Sequence, residues 1–264
     1  MTRLTIKALQ KLRDDGEKIA MLTCYDASFA AMLDAAGLDS LLVGDSLGMV
    51  LQGHETTLPV TLADMAYHTR SVARGSGRPF LIADMPFGTF QESPQQAFRN
   101  AVELMAAGAQ MVKIEGGAEL AETALFLTQR GVPVCGHLGL TPQSVHQFGG
   151  YRVQGRGEDA EKKLLDDALE LEAAGAGVIV LEAIPAKLAD QVTRRLRIPT
   201  IGIGAGPACS GQVLVLHDML DVYPGKKARF VKNFMHGASS IANAAERYVR
   251  AVKDRSFPSE EHSF

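Results

Sequence analysis

The amino-acid sequence predicts a (β/α)₈ barrel, and three observations support that prediction. Short continuous apolar runs alternate with amphipathic stretches along the chain. Such runs are typical of parallel strands buried on both faces, and their alternation with helices is typical of α/β folds. The runs number eight, as in a closed barrel. The chain has 264 residues, 46% of them hydrophobic, which is enough for one barrel as a single domain over residues 1–264.

Each strand of the barrel is predicted from one apolar run. The runs lie near residues 19–24, 40–44, 80–84, 111–115, 132–136, 177–181, 199–203 and 213–217. A doubly wound open sheet is the structural alternative, but its GxGxxG fingerprint does not follow the first run. The glycine cluster at 202–206 can bind phosphate or form a tight turn at the barrel rim, and the turn is the favoured interpretation.

Helices are predicted between the runs from capping residues and hydrophobic periodicity. Ser93 followed by Pro94 is typical of an N-cap with proline in the first turn, and this helix is expected to end at Gly108. A second helix is predicted over about 159–174, where leucines can line one face. Further helices are expected after Gly117 and after Pro185.

Two connections between runs are too long to be simple links. They extend from Gly44 to Val60 and from Leu138 to Gly157, and loops of that length in a compact domain are usually functional. The second loop is rich in glycine and is predicted to be a mobile lid. A disordered insertion is the alternative, which aromatic residues such as Tyr151 disfavour because they need a packing surface.

An ionisable side chain closes five of the apolar runs. These side chains are Asp45, Asp84, Glu115, His137 and Glu182. The carboxyl ends of parallel strands meet at one rim, so the five side chains are expected to face one pocket. Carboxylates gathered there need a cation, and Asp45, Asp84 and Glu115 are the predicted ligands of Mg²⁺, directly or through water. The alternative for any one acid is a helix cap, and no HxxxH or Cys/His spacing indicates zinc.

Lys113, His137 and Glu182 are expected to act on the substrate. Lys113 lies two residues before Glu115 and shares its face of the strand; it can neutralise a carboxylate or enolate, form a Schiff base, or balance the acids. His137 is expected to form a hydrogen bond with a substrate oxygen, with a structural role as the alternative. Glu182 is expected across the barrel from the metal strands, as a general base that removes a C–H proton. The residues alone therefore indicate metal-assisted enolate chemistry.

Composition excludes several classes of protein. The net charge is −3, and no basic stripe indicates nucleic-acid binding. The first residues lack the apolar region of a signal peptide, and no apolar stretch approaches the ~18 residues of a membrane span. Cys24, Cys135 and Cys209 form no CxxC pair, which favours a reducing cytoplasm, and the first two are expected in the core. The polar tail after Arg250 is expected to be loosely held.

Several segments of the chain resemble the ketopantoate hydroxymethyltransferases, also called 3-methyl-2-oxobutanoate hydroxymethyltransferases. They are VGDSLGM at 43–49, QGHETTLPVT at 52–61, VKIEGG at 112–117, GHLGLTPQS at 136–144, GGYRVQGR at 149–156 and IGIGAG at 201–206. The resemblance covers nearly the whole chain, to the closing residues 261–264. So many long blocks in the same order are highly specific.

The resemblance implies a TIM barrel of the phosphoenolpyruvate/pyruvate type and the first committed step toward pantothenate. In this family a one-carbon unit passes from 5,10-methylenetetrahydrofolate to 3-methyl-2-oxobutanoate, giving 2-dehydropantoate and tetrahydrofolate. By motif, the magnesium site corresponds to Asp45, Asp84 and Glu115, and the catalytic base to Glu182. The oxo-acid site corresponds to Asp45, Ser46, Asp84 and Lys113, with His137 nearby. The resemblance also implies a cytoplasmic homodecamer whose ligands are the oxo acid and folate, with no nucleic acid or membrane partner.

Two positions depart from the pattern of the family. Ser210 stands where an acidic residue often precedes Gly-Gln, and Asp221 stands where glycine is common. Both lie outside the inferred catalytic set and put only local rim geometry or subunit contacts in doubt. The competing functions are a magnesium-dependent lyase of the isocitrate-lyase kind and a non-catalytic scaffold. The absence of cysteine from residues 138–157 counts against the first, and retention of every rim acid counts against the second.

Overall fold

The computed structural model describes residues 2–264 and contains a closed barrel of eight parallel strands. The strands are β1 Ile19–Thr23, β2 Ser40–Val43, β3 Phe80–Asp84, β4 Met111–Glu115, β5 Val134–Gly139, β6 Val178–Glu182, β7 Thr200–Ile203 and β8 Gly211–Leu214. Each strand pairs with the next along the chain, and β8 pairs with β1. Every strand residue is buried except Gly139 and Glu182, which lie at the carboxyl rim. The barrel that the sequence predicts is confirmed.

Helices surround the barrel and alternate with its strands. They are α1 Ile6–Asp14, α2 Ala27–Ala35, α3 Leu47–Val50, α4 Leu62–Gly75, α5 Pro94–Ala106, α6 Ala121–Thr128, α7 Val145–Phe148, α8 Glu158–Ala173, α9 Ala186–Arg195, α10 Leu216–Met219 and α11 Ile241–Lys253. Short 3₁₀ helices occur at Ala118–Leu120, Pro142–Ser144 and Glu260–His262. The helices expected over 93–108, over 159–174, after Gly117 and after Pro185 are therefore present.

The helix that begins after Ser93 shows why the local prediction succeeds. The Ser93 side chain accepts a hydrogen bond from the backbone N–H of Gln96, and Pro94 occupies the first turn. The Ser93 side chain pairs one of the backbone N–H groups that a helix leaves unpaired at its start, and Pro94 has no backbone N–H to leave unpaired. A capping box on Thr61 and Asp64 begins α4 in the same way.

The last strand begins and ends earlier than the sequence predicts. The predicted strand at 213–217 is wrong by about two residues, because Gly211 and Gln212 pair with β1 and open the strand. The backbone N–H of Leu216 donates instead to the hydroxyl of Thr23 at 2.8 Å. That contact turns the chain out of the sheet and into α10.

The carboxyl-terminal segment is packed, so the expectation of a loosely held tail is wrong. The buried Tyr248 of α11 donates to the carbonyls of Met21 and Gln212, which joins β1 to β8. Beyond this helix Phe257 is buried, and the backbone N–H of Ala186 donates to the carbonyl of Phe264 at 2.8 Å. The expectation failed because it considered the polar composition of the tail and not the few buried residues, such as Phe257, that hold it in place.

Three further expectations can be compared with the structure. Cys24, Cys135 and Cys209 are free and buried, and burial raises the pKa of each thiol, to about 12, 12 and 11 respectively. The glycine cluster at 202–206 forms a turn after β7 with positive φ at Gly204 and Gly206. Within residues 2–264, no helix combines the length and the apolar character that crossing a membrane requires.

Candidate active site

A cavity of about 820 Å³ opens at the carboxyl rim of the barrel. Every side chain that the sequence assigns to the site lines it. These side chains are Asp45, Ser46, Asp84, Lys113, Glu115, His137 and Glu182. The convergence follows from the fold. Asp84, Glu115 and Glu182 end strands β3, β4 and β6, Lys113 and His137 lie within β4 and β5, and Asp45 and Ser46 lie just beyond β2.

Lys113 is the centre of the ionic network at the floor of the cavity. Its Nζ lies 3.0 Å from Oδ1 of Asp84, 3.1 Å from Oε1 of Glu115 and 3.2 Å from Nδ1 of His137. Burial lowers the pKa of Lys113, but the carboxylates of Asp84, Glu115 and Asp45 outweigh it and hold the pKa above its ordinary value. The ammonium is therefore charged at neutral pH and balances buried acids, one of the roles expected for it.

His137 bridges two carboxylates. Its Nδ1 lies 3.1 Å from Oε1 of Glu115, and its Nε2 lies 3.2 Å from Oε2 of Glu182, within ion-pair distance but outside hydrogen-bond geometry. Burial and Lys113 lower the pKa of His137, while Glu115 and Glu182 outweigh them and raise it to about 9. The imidazole is thus a cation at neutral pH. Its predicted contact with a substrate oxygen is not tested.

The expected position of Glu182 across the barrel from the metal strands is confirmed for Asp45 but wrong for Glu115. Strand β6 does lie opposite β2, which carries Asp45 at its end. It is only two strands from β4, however, and the His137 ring links Glu182 to Glu115. The two acids are linked because β5 lies between β4 and β6 and carries His137, which contacts both Glu115 and Glu182. Glu182 keeps 14% of its side chain exposed in the cavity, so a substrate can still reach its carboxylate.

Asp45 and Asp84 form the acidic side of the floor. The backbone N–H of Asp45 donates to Oδ2 of Asp84 at 3.0 Å. Burial raises the pKa of both carboxyls, and for Asp45 the neighbouring Asp84 and Glu115 raise it further. Glu115 behaves differently, because Lys113 and His137 overcome its burial and lower its pKa. Among residues 2–264 no three acidic, histidine or cysteine side chains are already arranged as metal ligands, so the predicted metal set stays a prediction.

Gln143 is a site residue that the sequence reasoning did not single out. Its side-chain Nε2 donates to Oδ2 of Asp45 at 2.8 Å and to the carbonyl of Met85 at 2.9 Å. Its backbone N–H donates to Oε2 of Glu115 at 3.0 Å. Gln143 therefore holds two of the three predicted metal ligands from the loop after β5. The available signal was its place in a matching motif on a long rim loop.

Tyr25 is a second residue that the sequence reasoning missed. Its buried hydroxyl lies 2.8 Å from Oγ1 of Thr23 and 2.9 Å from Oγ of Ser46. Thr23 in turn accepts from the N–H of Leu216. This chain fixes the Ser46 hydroxyl in the cavity. A tyrosine in an apolar run carries no distinctive pattern, so nothing in the sequence identifies it.

The outer part of the cavity has a different composition from its floor. Tyr151, Arg152 and Val153 of the long second loop line it, and the Tyr151 hydroxyl lies 3.6 Å from Sδ of Met49. A second group of lining residues comes after the last strand, β8, in the sequence. It consists of Tyr223, Lys226, Lys227, Arg229, Phe230 and Phe264. The second loop therefore reaches the cavity, while its predicted mobility is not tested.

With this geometry in place, comparison with known proteins identifies the family. The family model described as ketopantoate hydroxymethyltransferase matches residues 3–260. The chain belongs to the ketopantoate hydroxymethyltransferase family. It is 66% identical over 262 residues to the 3-methyl-2-oxobutanoate hydroxymethyltransferase of Dechloromonas aromatica (strain RCB), covering 99% of this chain and 96% of the relative. The enzyme of that name from Azoarcus sp. (strain BH72) is 67% identical, with coverage of 99% and 97%.

Solved structures show that the fold of this hydroxymethyltransferase family member is shared more widely. A phosphonopyruvate hydrolase in complex with oxalate and Mg²⁺ superposes with a TM-score of 0.64 at 14% identity, covering 99% of this chain and 93% of the other. A putative phosphonomutase from Burkholderia cenocepacia J2315 gives 0.65 at 16% identity, with coverage of 83% and 95%. A 2,3-dimethylmalate lyase of the PEP mutase/isocitrate lyase superfamily gives 0.57. At identities this low these likenesses show the barrel fold alone, and the predicted phosphoenolpyruvate/pyruvate type stays a prediction.

The two departures from the family pattern have structural explanations. Ser210 lies next to the amino end of β8, away from the rim, where its Oγ accepts from the N–H of Thr200 and its N–H donates to Oγ1 of Thr200. Asp221 has a φ of +61°, a conformation that glycine adopts most easily. Its carboxylate pairs with Lys227 and accepts from Asn233, contacts that glycine cannot make.

Proposed function

We propose that this protein transfers a hydroxymethyl group from 5,10-methylenetetrahydrofolate to 3-methyl-2-oxobutanoate, yielding 2-dehydropantoate for pantothenate synthesis. One observation carries the proposal. The side chains that correspond by motif to the metal site, the oxo-acid site and the base all line one cavity, in a chain that matches the family from residue 3 to residue 260. The relatives named for this activity support the choice of substrate.

The floor of the cavity is suited to a hard divalent cation, and we propose Mg²⁺. Its potential ligands are carboxylate oxygens, which Mg²⁺ prefers. Oδ1 of Asp84 is buried and, apart from its ion pair with Lys113, has no partner in hydrogen-bond geometry among residues 2–264. Asp45, Asp84 and Glu115 would hold the ion, directly or through water. When bound, it supplies Lewis-acid stabilisation of the charge that develops on an enolate.

Charge balance supports the same proposal. Four carboxylates meet two cations in this network: Asp45, Asp84, Glu115 and Glu182 against Lys113 and His137. With all six charged, an excess of negative charge remains, and burial makes that excess costly. The raised pKa of Asp45 has this cause, since burial and its acidic neighbours disfavour the carboxylate. A divalent cation would relieve the repulsion.

The chain's own residues divide the remaining work. Lys113 presents a fixed positive charge that would attract the carboxylate of the oxo acid. The hydroxyl of Ser46, held by Tyr25, would donate to a substrate oxygen. Glu182 would take the proton from C3, the carbon that later forms the new C–C bond. His137 lies beside Glu182, with its Nε2 3.2 Å from Oε2 of the carboxylate, and would help to hold that side chain in place.

The proposal is tested by following proton exchange at C3. The protein is incubated with Mg²⁺ and 3-methyl-2-oxobutanoate in D₂O, and the C3 proton is followed by NMR. Exchange that depends on the protein is the expected result, and addition of 5,10-methylenetetrahydrofolate should then give 2-dehydropantoate. A folded protein that catalyses neither exchange nor product formation would overturn the proposed function.

The family resemblance also suggests how the protein exists in the cell. We propose a homodecamer in the cytoplasm that has small-molecule ligands and no nucleic-acid or membrane partner. The three free, buried thiols are compatible with a reducing compartment. Sedimentation velocity of the full chain tests the assembly, because a decamer and a monomer differ widely in sedimentation coefficient.

A further inference from the structure

We propose that the outer half of the cavity is the subsite for the folate donor, with Arg152 and Lys226 binding the carboxylates of its glutamate tail. This inference rests on the proposed function. It concerns how the second substrate is recognised, which none of the assigned residues explains. The assigned side chains all lie at the floor, where one small oxo acid would occupy them.

The first argument is the size of the cavity. Its volume of about 820 Å³ lies within the range of pockets that enclose drug-sized ligands. An oxo acid with a short branched chain occupies only a small part of that volume. The outer space is therefore large enough for a second, larger molecule, which must reach the same floor if a carbon atom is to pass between the two.

The second argument is the distribution of charge. The floor contains four carboxylates, whereas the more exposed lining contains the cations Arg152, Lys226, Lys227 and Arg229 and one further acid, Asp218, which interacts with Lys227. Lys227 is paired with Asp221, while the side chains of Arg152 and Lys226 form no ion pair with another residue of the segment 2–264. Arg229 donates only to the backbone carbonyls of Glu260 and Glu261, which leaves its charge uncompensated. In a chain of net charge −3, this is a local concentration of free positive charge.

The third argument is the aromatic surface that lines the same cavity as these cations. Aromatic side chains of Tyr151, Tyr223, Phe230 and Phe264 line the same cavity. The Arg229 guanidinium lies 5.7 Å from the centroid of the Phe264 ring, so cation and aromatic surface adjoin. A reduced folate has matching chemistry, with a flat ring system at one end and glutamate carboxylates at the other. The folate ring system can stack on the aromatic side chains, and the glutamate carboxylates can form charge-assisted hydrogen bonds with the cations.

The orientation of the donor follows from this arrangement. The ring system, which carries the one-carbon unit, must point to the floor where Glu182 and Lys113 lie. The glutamate tail then points outward to Arg152 and Lys226. Longer tails add carboxylates beyond the first, so donors with several glutamates are expected to bind more tightly than the monoglutamate.

The test uses the double variant Arg152→Gln/Lys226→Gln in the full-length protein. Both side chains are exposed and form no side-chain hydrogen bond within the described segment, so folding should not depend on them. Lys7→Gln is the matched control, because Lys7 is exposed on α1. That helix covers the opposite end of the barrel, where Leu4 just before it bonds Arg78 ahead of β3.

The measured quantities are KM for mono- and triglutamyl 5,10-methylenetetrahydrofolate and the rate of C3 exchange without donor. Exposed charge pairs are worth about 1.5- to 5-fold each in binding. The double variant should therefore raise the donor KM by about 2- to 25-fold and reduce the preference for the triglutamate. C3 exchange and the KM of the oxo acid should change by less than about twofold, as in Lys7→Gln.

The outcomes separate the subsite from the proposed function. Absence of C3 exchange and turnover in the parent protein would refute the function itself. A parent that exchanges and turns over, together with a double variant whose donor KM matches Lys7→Gln, would refute the subsite alone. A rise in the oxo-acid KM with no change for the donor would assign these cations to the oxo acid and would also refute the subsite.

Discussion

Replacement of Glu182 by glutamine tests the division of labour at the floor of the cavity. The substitution keeps the size of the side chain and removes its basicity. A positioned general base contributes about 10²–10⁴-fold to rate, which corresponds to about 2.7–5.4 kcal/mol of transition-state stabilisation. We expect turnover and C3 deuterium exchange of Glu182→Gln to fall within that range.

The structure also predicts an effect of this variant on its neighbour. His137 lies between Glu115 and Glu182, and the two carboxylates together raise its pKa to about 9. Loss of the Glu182 charge removes one of them, so the pKa of His137 should decrease. The contacts of Glu115 with Lys113 and Gln143 are untouched, and Mg²⁺ and oxo-acid binding should therefore change much less than the rate. NMR titration of the imidazole and calorimetric Mg²⁺ binding measure the two effects.

Glu170→Gln is a suitable control, because it makes the same chemical change on the exposed face of α8. It should leave exchange, turnover and the His137 titration at parental values. If Glu182→Gln exchanges C3 at the parental rate, another group is the base. If it instead loses Mg²⁺ binding, Glu182 belongs to the cation site and the proposed roles are wrong.

Four other changes test separate parts of the structure. Asp84→Asn should weaken Mg²⁺ and oxo-acid binding together while the fold survives, as calorimetry and circular dichroism will show; unchanged Mg²⁺-dependent turnover would refute the metal assignment. Tyr25→Phe removes the hydroxyl that holds Ser46, so urea unfolding should show a loss of about 1–2 kcal/mol and the oxo-acid KM should rise; equal stability and KM would mean that the contact is unimportant. Burial raises the pKa of Asp218 to about 6, with Lys227 opposing it, so its ionisation destabilises the folded state as pH rises from about 4 to 6. Asp218→Asn should therefore remove about 2 kcal/mol of that loss, and a variant with the parental pH profile of stability would contradict this. The stretch 149–157 should be cut by protease in the free protein and protected by Mg²⁺ with oxo acid; equal cleavage in both states would argue against a closing lid.

The rim acids could be predicted because strand order alone brings them together. Asp45 and Asp84 are far apart in the chain, yet each terminates an apolar run, and a barrel places all such ends on one rim. No knowledge of side-chain contacts is needed for that step. The closed barrel and most strand positions follow from the same runs.

The contacts of Gln143 and Tyr25 could not be predicted in that way. Gln143 reaches Asp45 across 98 positions of sequence because the loop after β5 folds back over the cavity, and loop conformation leaves no periodic pattern. The bridge from Glu115 through His137 to Glu182 depends on side-chain conformations at three strand ends. The early start of β8 was missed because glycine and glutamine, which begin it, have little strand preference.

Gly139 links the two halves of the rim by backbone alone. It has a φ of +92°, and a Cβ there would collide with the carbonyl oxygen of Glu182. The next N–H, of Leu140, donates to that same carbonyl, and the N–H of Gln154 donates to the carbonyl of Ala183. The frame around Glu182 is therefore independent of the side chain at 182. Position 182 is therefore open to redesign: its side chain can be exchanged without loss of these backbone contacts, while Gly139 must stay glycine for the frame to persist.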